Sequence, residues 1–120
     1  METAVLLVED ERMLATMLSS LLREEGYDVT CATNAEEAVE SIMKASSDFA
    51  AIVTDVNLAS SMNGIEVAHL VRQHHARAAI ILMTGASARD VAACAPEGAI
   101  VLEKPFRPTE VLDALERLLH

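Results

Sequence analysis

Five polar side chains stand where short apolar runs end: Glu9 and Asp10 after "VLLV", Asp55 after "AIVT", Thr84 after "AIILM", and Lys104 after "AIVLE". Carboxylates gathered without partners repel one another. A hard divalent cation removes that conflict, and Mg²⁺ takes one or two carboxylates together with waters and phosphate oxygens. Asp10, Asp55 and a main-chain carbonyl just past Asp55 suit such a site, with Glu9 one shell out. Lys104 adds a point charge for an anion, and Thr84 a hydroxyl donor for a phosphoryl oxygen. Metal, ammonium and hydroxyl together equip a site for phosphoryl transfer, which is mostly positioning and charge stabilisation. A carboxylate beside the metal can serve as nucleophile and give an aspartyl phosphate.

That chemistry needs four chain segments to end at one place. The apolar runs that carry it are short and β-favouring: Ala4–Val8, Asp28–Ala32, Ala51–Thr54, Ala79–Met83 and Ala99–Leu102. Stretches of helical spacing separate them. Met13, Leu14, Met17, Leu18, Leu21 and Leu22 make one apolar stripe, and Gly26 is placed to stop that helix. Asn34 with Glu37 resembles a capping box for a second helix through Val39, Ile42 and Met43. Ile65, Ala68 and Val71 mark a third, and His74–His75 its C-terminal end. Ser87–Ala95 is a short Ala-rich fourth helix closed by Pro96, and Pro108 opens a fifth. The order is (βα)₅ in one domain, residues 1–120, which predicts an α/β fold with a parallel sheet covered on both faces. In open sheets of this kind ligands bind beyond the carboxyl ends of the strands, where four of the five runs carry the polar residues.

Composition limits the partners. Nineteen acidic residues face nine basic ones, for a net charge of −10. That charge disfavours nucleic acid and anionic membrane surfaces. Two cysteines, Cys31 and Cys94, are too few for a disulfide framework and read as small core residues in a reducing compartment. The methionines at helical spacing read as core filler. No apolar run reaches membrane-spanning length and no basic-then-apolar leader is visible, so a cytoplasmic location is expected.

The four segments "VLLVEDE" (Val5–Glu11), "IVTDVNL" (Ile52–Leu58), "LMTGAS" (Leu82–Ser87) and "EKPF" (Glu103–Phe106), in this order and each closing a predicted strand, resemble a receiver domain of two-component response regulators. The likeness covers nearly the whole chain. It implies a flavodoxin-like three-layer sandwich with sheet order 2-1-3-4-5. It implies that Asp55 is the phosphoacceptor, supplied by a histidine kinase or a histidine phosphotransfer protein. Asp10, Asp55 and the backbone carbonyl of Asn57 would then ligate Mg²⁺, with Glu9, where many members have Asp, holding the metal through water. Thr84 would be the switch hydroxyl and Lys104 the phosphoryl-binding cation, followed by a cis Lys–Pro bond. Phosphorylation would change the face made by helix four, strand five and helix five, for a downstream partner or a homodimer.

The chain departs from the family at two places. Members commonly have an aromatic switch residue three positions before the Lys, where this chain has Val101. Many have Pro four residues after the acceptor, where this chain has Ala59, and "LASSMNG" is one residue longer before Gly64. The Thr84–Gly85 pair and the missing aromatic resemble an atypical subgroup found among stress-response regulators. Both a stand-alone receiver and one excised from a longer protein fit the sequence. Two competing functions are a pseudo-receiver acting only as a protein-interaction module, and a phosphohydrolase of the haloacid dehalogenase type. The latter needs a second Asp two residues after the nucleophile as general acid, and Asn57 cannot fill that role.

Overall fold

The structure, a computed structural model, describes residues 3–120. Five strands alternate with five helices: β1 (Thr3–Val8), α1 (Arg12–Glu24), β2 (Tyr27–Ala32), α2 (Ala35–Lys44), β3 (Ala51–Asp55), α3 (Gly64–His74), β4 (Ala79–Thr84), α4 (Ala88–Cys94), β5 (Ile100–Glu103) and α5 (Pro108–Leu119). The strands form one parallel sheet of order β2-β1-β3-β4-β5. The expected fold is therefore the observed one.

Side-chain alternation along the strands divides the core into two layers. Leu6, Val8, Ile52, Ile80 and Leu82 face α2, α3 and Val91 of α4. Val5, Leu7, Val53, Ile81 and Met83 face α1 and α5. Both sides of the central strands are buried, which is why "VLLV" and "IILM" read as unbroken apolar runs rather than as alternating ones. Among the described residues no helix is long and apolar enough to cross a membrane.

Several helix boundaries follow from identifiable chemistry. Gly26 takes φ +93°, the left-handed value a glycine adopts readily, and stops α1. At α2 the capping box is only half formed. Asn34 Oδ1 accepts the Glu37 N–H at 2.8 Å, but the Glu37 carboxylate turns instead to Thr33, accepting its N–H and its hydroxyl. A complete box stands at α3, where Asn63 and Glu66 cap each other reciprocally. The segment "NGIE" carries the sequence signature of that box.

Four expectations need correction. Cys31 and Cys94 are exposed rather than packed in the core; Cys31 lies on the sheet's edge strand, whose far side has no neighbour. Met13, Met17 and Met43 are exposed as well. The α1 stripe is wider than its buried face, which centres on Leu18 and Leu22. Among the described methionines only Met83, on a central strand rather than a helix, is fully buried. His74 does close α3, with Nδ1 at 3.1 Å from the Leu70 carbonyl, but His75 is buried and bridges elements. Its Nδ1 accepts the Phe49 N–H at 2.8 Å, so Nε2 carries the proton and donates to the Ile42 carbonyl at 3.2 Å.

Candidate functional site

Strand register brings the candidate residues together. Val8 pairs with Thr54, which sets Glu9 beside Asp55 at the same sheet edge. Asp55 pairs with Met83, the residue before Thr84, and Thr84 pairs with Glu103, the residue before Lys104. Four strand ends thus deliver Glu9, Asp55, Thr84 and Lys104 to one rim, and Asp10 follows directly after Glu9. Carboxylate oxygens of Glu9, Asp10 and Asp55 all lie within 4.8 Å of one another.

Asp55 is buried, and each of its oxygens has a partner. Oδ2 lies 2.8 Å from Lys104 Nζ, and Oδ1 accepts the Asn57 N–H at 3.1 Å. Lys104 is partly buried, which opposes its charge. The bond and charge of Asp55, with Glu9 and Glu11 behind it, outweigh burial and raise its pKa.

Glu9 is 1% exposed. Its Oε2 accepts the Glu11 N–H at 3.0 Å, while its Oε1 is buried without a partner. Burial first, and the nearby charge of Asp55 after it, push its pKa from 4.5 up to about 7, against the pull of the Glu11 N–H. An unpartnered buried carboxylate oxygen beside two further carboxylates is what a cation-binding cluster of oxygen ligands presents. The donor set suits Mg²⁺, with Asp10 exposed toward solvent and Glu9 forming the floor.

Thr84 is fully buried. Its Oγ1 accepts the Ala86 N–H at 2.9 Å, which leaves the hydroxyl proton free for donation. The Lys104 N–H donates to the Thr84 carbonyl at 2.7 Å, tying β4 and β5 just beyond their ends. The Lys104–Pro105 bond is cis. Val101 is half-buried against the aliphatic core, and no aromatic side chain stands there.

The segment after Asp55 is tightly tied. Gly64 N–H donates to the Val56 carbonyl at 2.8 Å. A Cβ on Gly64 would collide with the Asp55 carbonyl oxygen and lie 2.9 Å from Val56 Cα. Ser60 Oγ accepts the Ala35 N–H at 3.0 Å, and Ser61 donates its hydroxyl to Glu36 at 3.1 Å. This longer loop therefore rests on the start of α2. Sequence reasoning missed two residues of the site's frame, Glu103 and Gly64. Gly64 was legible only as a glycine opening a helical stretch, and Glu103 as an acid beside Lys104.

The chain is similar to known proteins over nearly its whole length. The model of the response regulator receiver domain family matches residues 5–116. The probable transcriptional regulatory protein TcrX of Mycobacterium tuberculosis is 33% identical over 118 residues, covering 97% of this chain and 49% of TcrX. The response regulator protein FleR of Pseudomonas aeruginosa is 34% identical, covering 98% of this chain and 24% of FleR. The chain thus spans about half the length of the first relative and a quarter of the second. Among solved structures, a response regulator receiver protein of Sinorhizobium medicae superposes with TM-score 0.91 at 27% identity, covering 98% of this chain and 94% of that one. The response regulator TrrA of Thermotoga maritima, in complex with Mg²⁺–BeF, gives TM-score 0.76 at 29% identity, covering 98% and 99%.

Proposed function

The chain belongs to the response regulator receiver domain family of two-component systems, and on that premise we propose that residues 1–120 act as one receiver domain with Asp55 as phosphoacceptor. The donor is a phosphohistidine on a histidine kinase or a histidine phosphotransfer protein. An Asp55 carboxylate oxygen attacks the phosphorus, the P–N bond breaks, and the leaving imidazole keeps the electron pair. The observation that carries this reading is the buried Asp55 carboxylate, held by Lys104 at 2.8 Å inside a cluster of three carboxylates.

Asp10, Asp55 and the Asn57 carbonyl would hold Mg²⁺, with Glu9 acting through water. When bound, Mg²⁺ neutralises the carboxylates and the charge that develops on the transferring oxygens. Lys104 orients Asp55 at rest and pairs with phosphoryl oxygens afterwards. Thr84 donates its free hydroxyl proton to one of them. The receiver is a signalling switch whose only chemistry is its own phosphoryl transfer and slow autodephosphorylation. A phosphoryl group brings about −1.5 to −2 charge and three acceptor oxygens. Thr84 and Lys104 carry that change to the face of α4, β5 and α5, where a downstream protein or a second copy docks. With Val101 in place of an aromatic ring, that change does not pass through a swinging aromatic side chain. No specific feature of the site favours the pseudo-receiver reading.

The test is labelling of purified protein by acetyl phosphate, read by intact mass. Label that requires Mg²⁺ and vanishes in Asp55→Asn is expected. Equal labelling of Asp55→Asn would remove Asp55 as the acceptor.

A further inference from the structure

Glu103 ends β5, next to Lys104 in sequence and opposite Thr84 in the sheet. Its carboxylate reaches away from its own strand. Oε1 accepts the N–H of Ala88, the first residue of α4, at 2.6 Å. Ser87 precedes that helix at the position from which a side chain ordinarily caps, yet it makes no capping bond. Glu103 supplies from a neighbouring strand what Ser87 does not.

The bond matters more here than at a longer helix. α4 has seven residues and buries only Val91. A helix that short has little propagation of its own, so its first turn depends on what fixes its free N–H groups. Gly85, Ala86 and Ser87, which lead into it, are exposed. The segment is pinned at two points: the Ala86 N–H on Thr84 Oγ1, and the Ala88 N–H on Glu103. Lys104 closes the frame through its N–H on the Thr84 carbonyl.

We propose that Glu103 is the positioning residue that conveys the state of the Asp55 site to α4. The proposal rests on the phosphoacceptor reading above. A phosphoryl group on Asp55 draws both Lys104 and Thr84. Glu103 is joined to the first by a peptide bond and to the second across the sheet. Glu103 is the last residue of β5 and shares a peptide bond with Lys104, so a pull on Lys104 moves the Glu103 backbone and displaces its carboxylate from Ala88. The first turn of α4 then loses its cap and rearranges.

The experiment compares amide hydrogen exchange of Ala88 and Val91, the first-turn amides that have an acceptor, by NMR in resting and acetyl-phosphate-labelled protein with Mg²⁺, read on the labelled fraction. In the wild type, labelling should speed exchange of these amides by about five- to tenfold, the size of a lost cap. Resting Glu103→Ala should already exchange at that faster rate, and labelling should change it by less than about twofold. Glu103→Gln keeps an acceptor oxygen and should restore both the slow resting rate and the response. Wild-type exchange in resting Glu103→Ala, or a full response in labelled Glu103→Ala, would overturn the role given to Glu103. A wild type that takes no label would instead overturn the phosphoacceptor reading itself.

Discussion

Lys104 Nζ lies 2.8 Å from Asp55 Oδ2, and it is the one ammonium facing a cluster of three carboxylates among the described residues. Asp55 is buried and Lys104 is about a third exposed. Solvent reaches the pair from one side only, so removing one partner costs more than it does in a surface ion pair.

Lys104→Met therefore leaves a buried carboxylate with one N–H for company. We expect a loss of about 1–3 kcal/mol in urea unfolding without divalent ions. Mg²⁺ should recover much of that loss, because it neutralises the same carboxylates. An equal loss with and without Mg²⁺ would contradict a shared site.

Gly64→Ala places a methyl group against the Asp55 carbonyl, where only backbone surrounds it. Backbone atoms cannot swing aside as a side chain would. A loss of about 3 kcal/mol or more is expected, with weakened labelling in whatever folds. A urea midpoint within error of wild type would show that the loop yields easily.

Glu9 sets a pH dependence with a definite sign. Its pKa rises from 4.5 to about 7 on folding. Between those values the folded protein keeps a proton that the unfolded chain has released. Stability therefore falls as pH rises through this window and levels off above it, by at most about 3 kcal/mol. Without divalent ions, the stability difference between wild type and Glu9→Gln should shift in favour of the variant from pH 5 to pH 8. A constant difference across that range would remove Glu9 as its source.

His75→Leu deletes a bridge between the end of α2, Phe49 and the end of α3. The Phe49 N–H and the Ile42 carbonyl lose their partner in a buried setting. We expect about 2–4 kcal/mol of destabilisation for two orphaned buried groups. Chemical denaturation checks it, and a neutral result would mean that water takes over both bonds.

Asn57, Gly85 and Ala86 are exposed at the rim and small or short. Water should reach a phosphoryl group on Asp55 readily, so its lifetime should be minutes. Decay of the intact-mass signal after donor removal measures it, and a half-life of many hours would refute open access.

The strands and the convergence of Glu9, Asp10, Asp55, Thr84 and Lys104 were legible because buried parallel strands leave unbroken apolar runs with polar ends, whereas the strand order came only from the resemblance to receiver domains. Pro108 and Gly26 marked their helix ends for equally local reasons. What was not legible depends on distant parts of the chain. Nothing near His75 says that Phe49 and Ile42 will meet it. Cys31 looks apolar until it is known to lie on an edge strand. Glu37 has the spacing of a box partner for Asn34, but Thr33 offers two donors and takes the carboxylate. Whether Glu103 is idle or caps α4 depends on where the β4–α4 turn lands.

The hydroxyl of Ser60, five residues past Asp55, accepts the first N–H of α2. The loop leaving Asp55 thus serves as a structural part of a helix that precedes it in the chain. A chimera that exchanged this loop for the shorter, proline-bearing kind would strip α2 of a bond at its opening turn. Such a graft would have to carry the first residues of α2 with it, so the unit of exchange here is a loop and a helix end together.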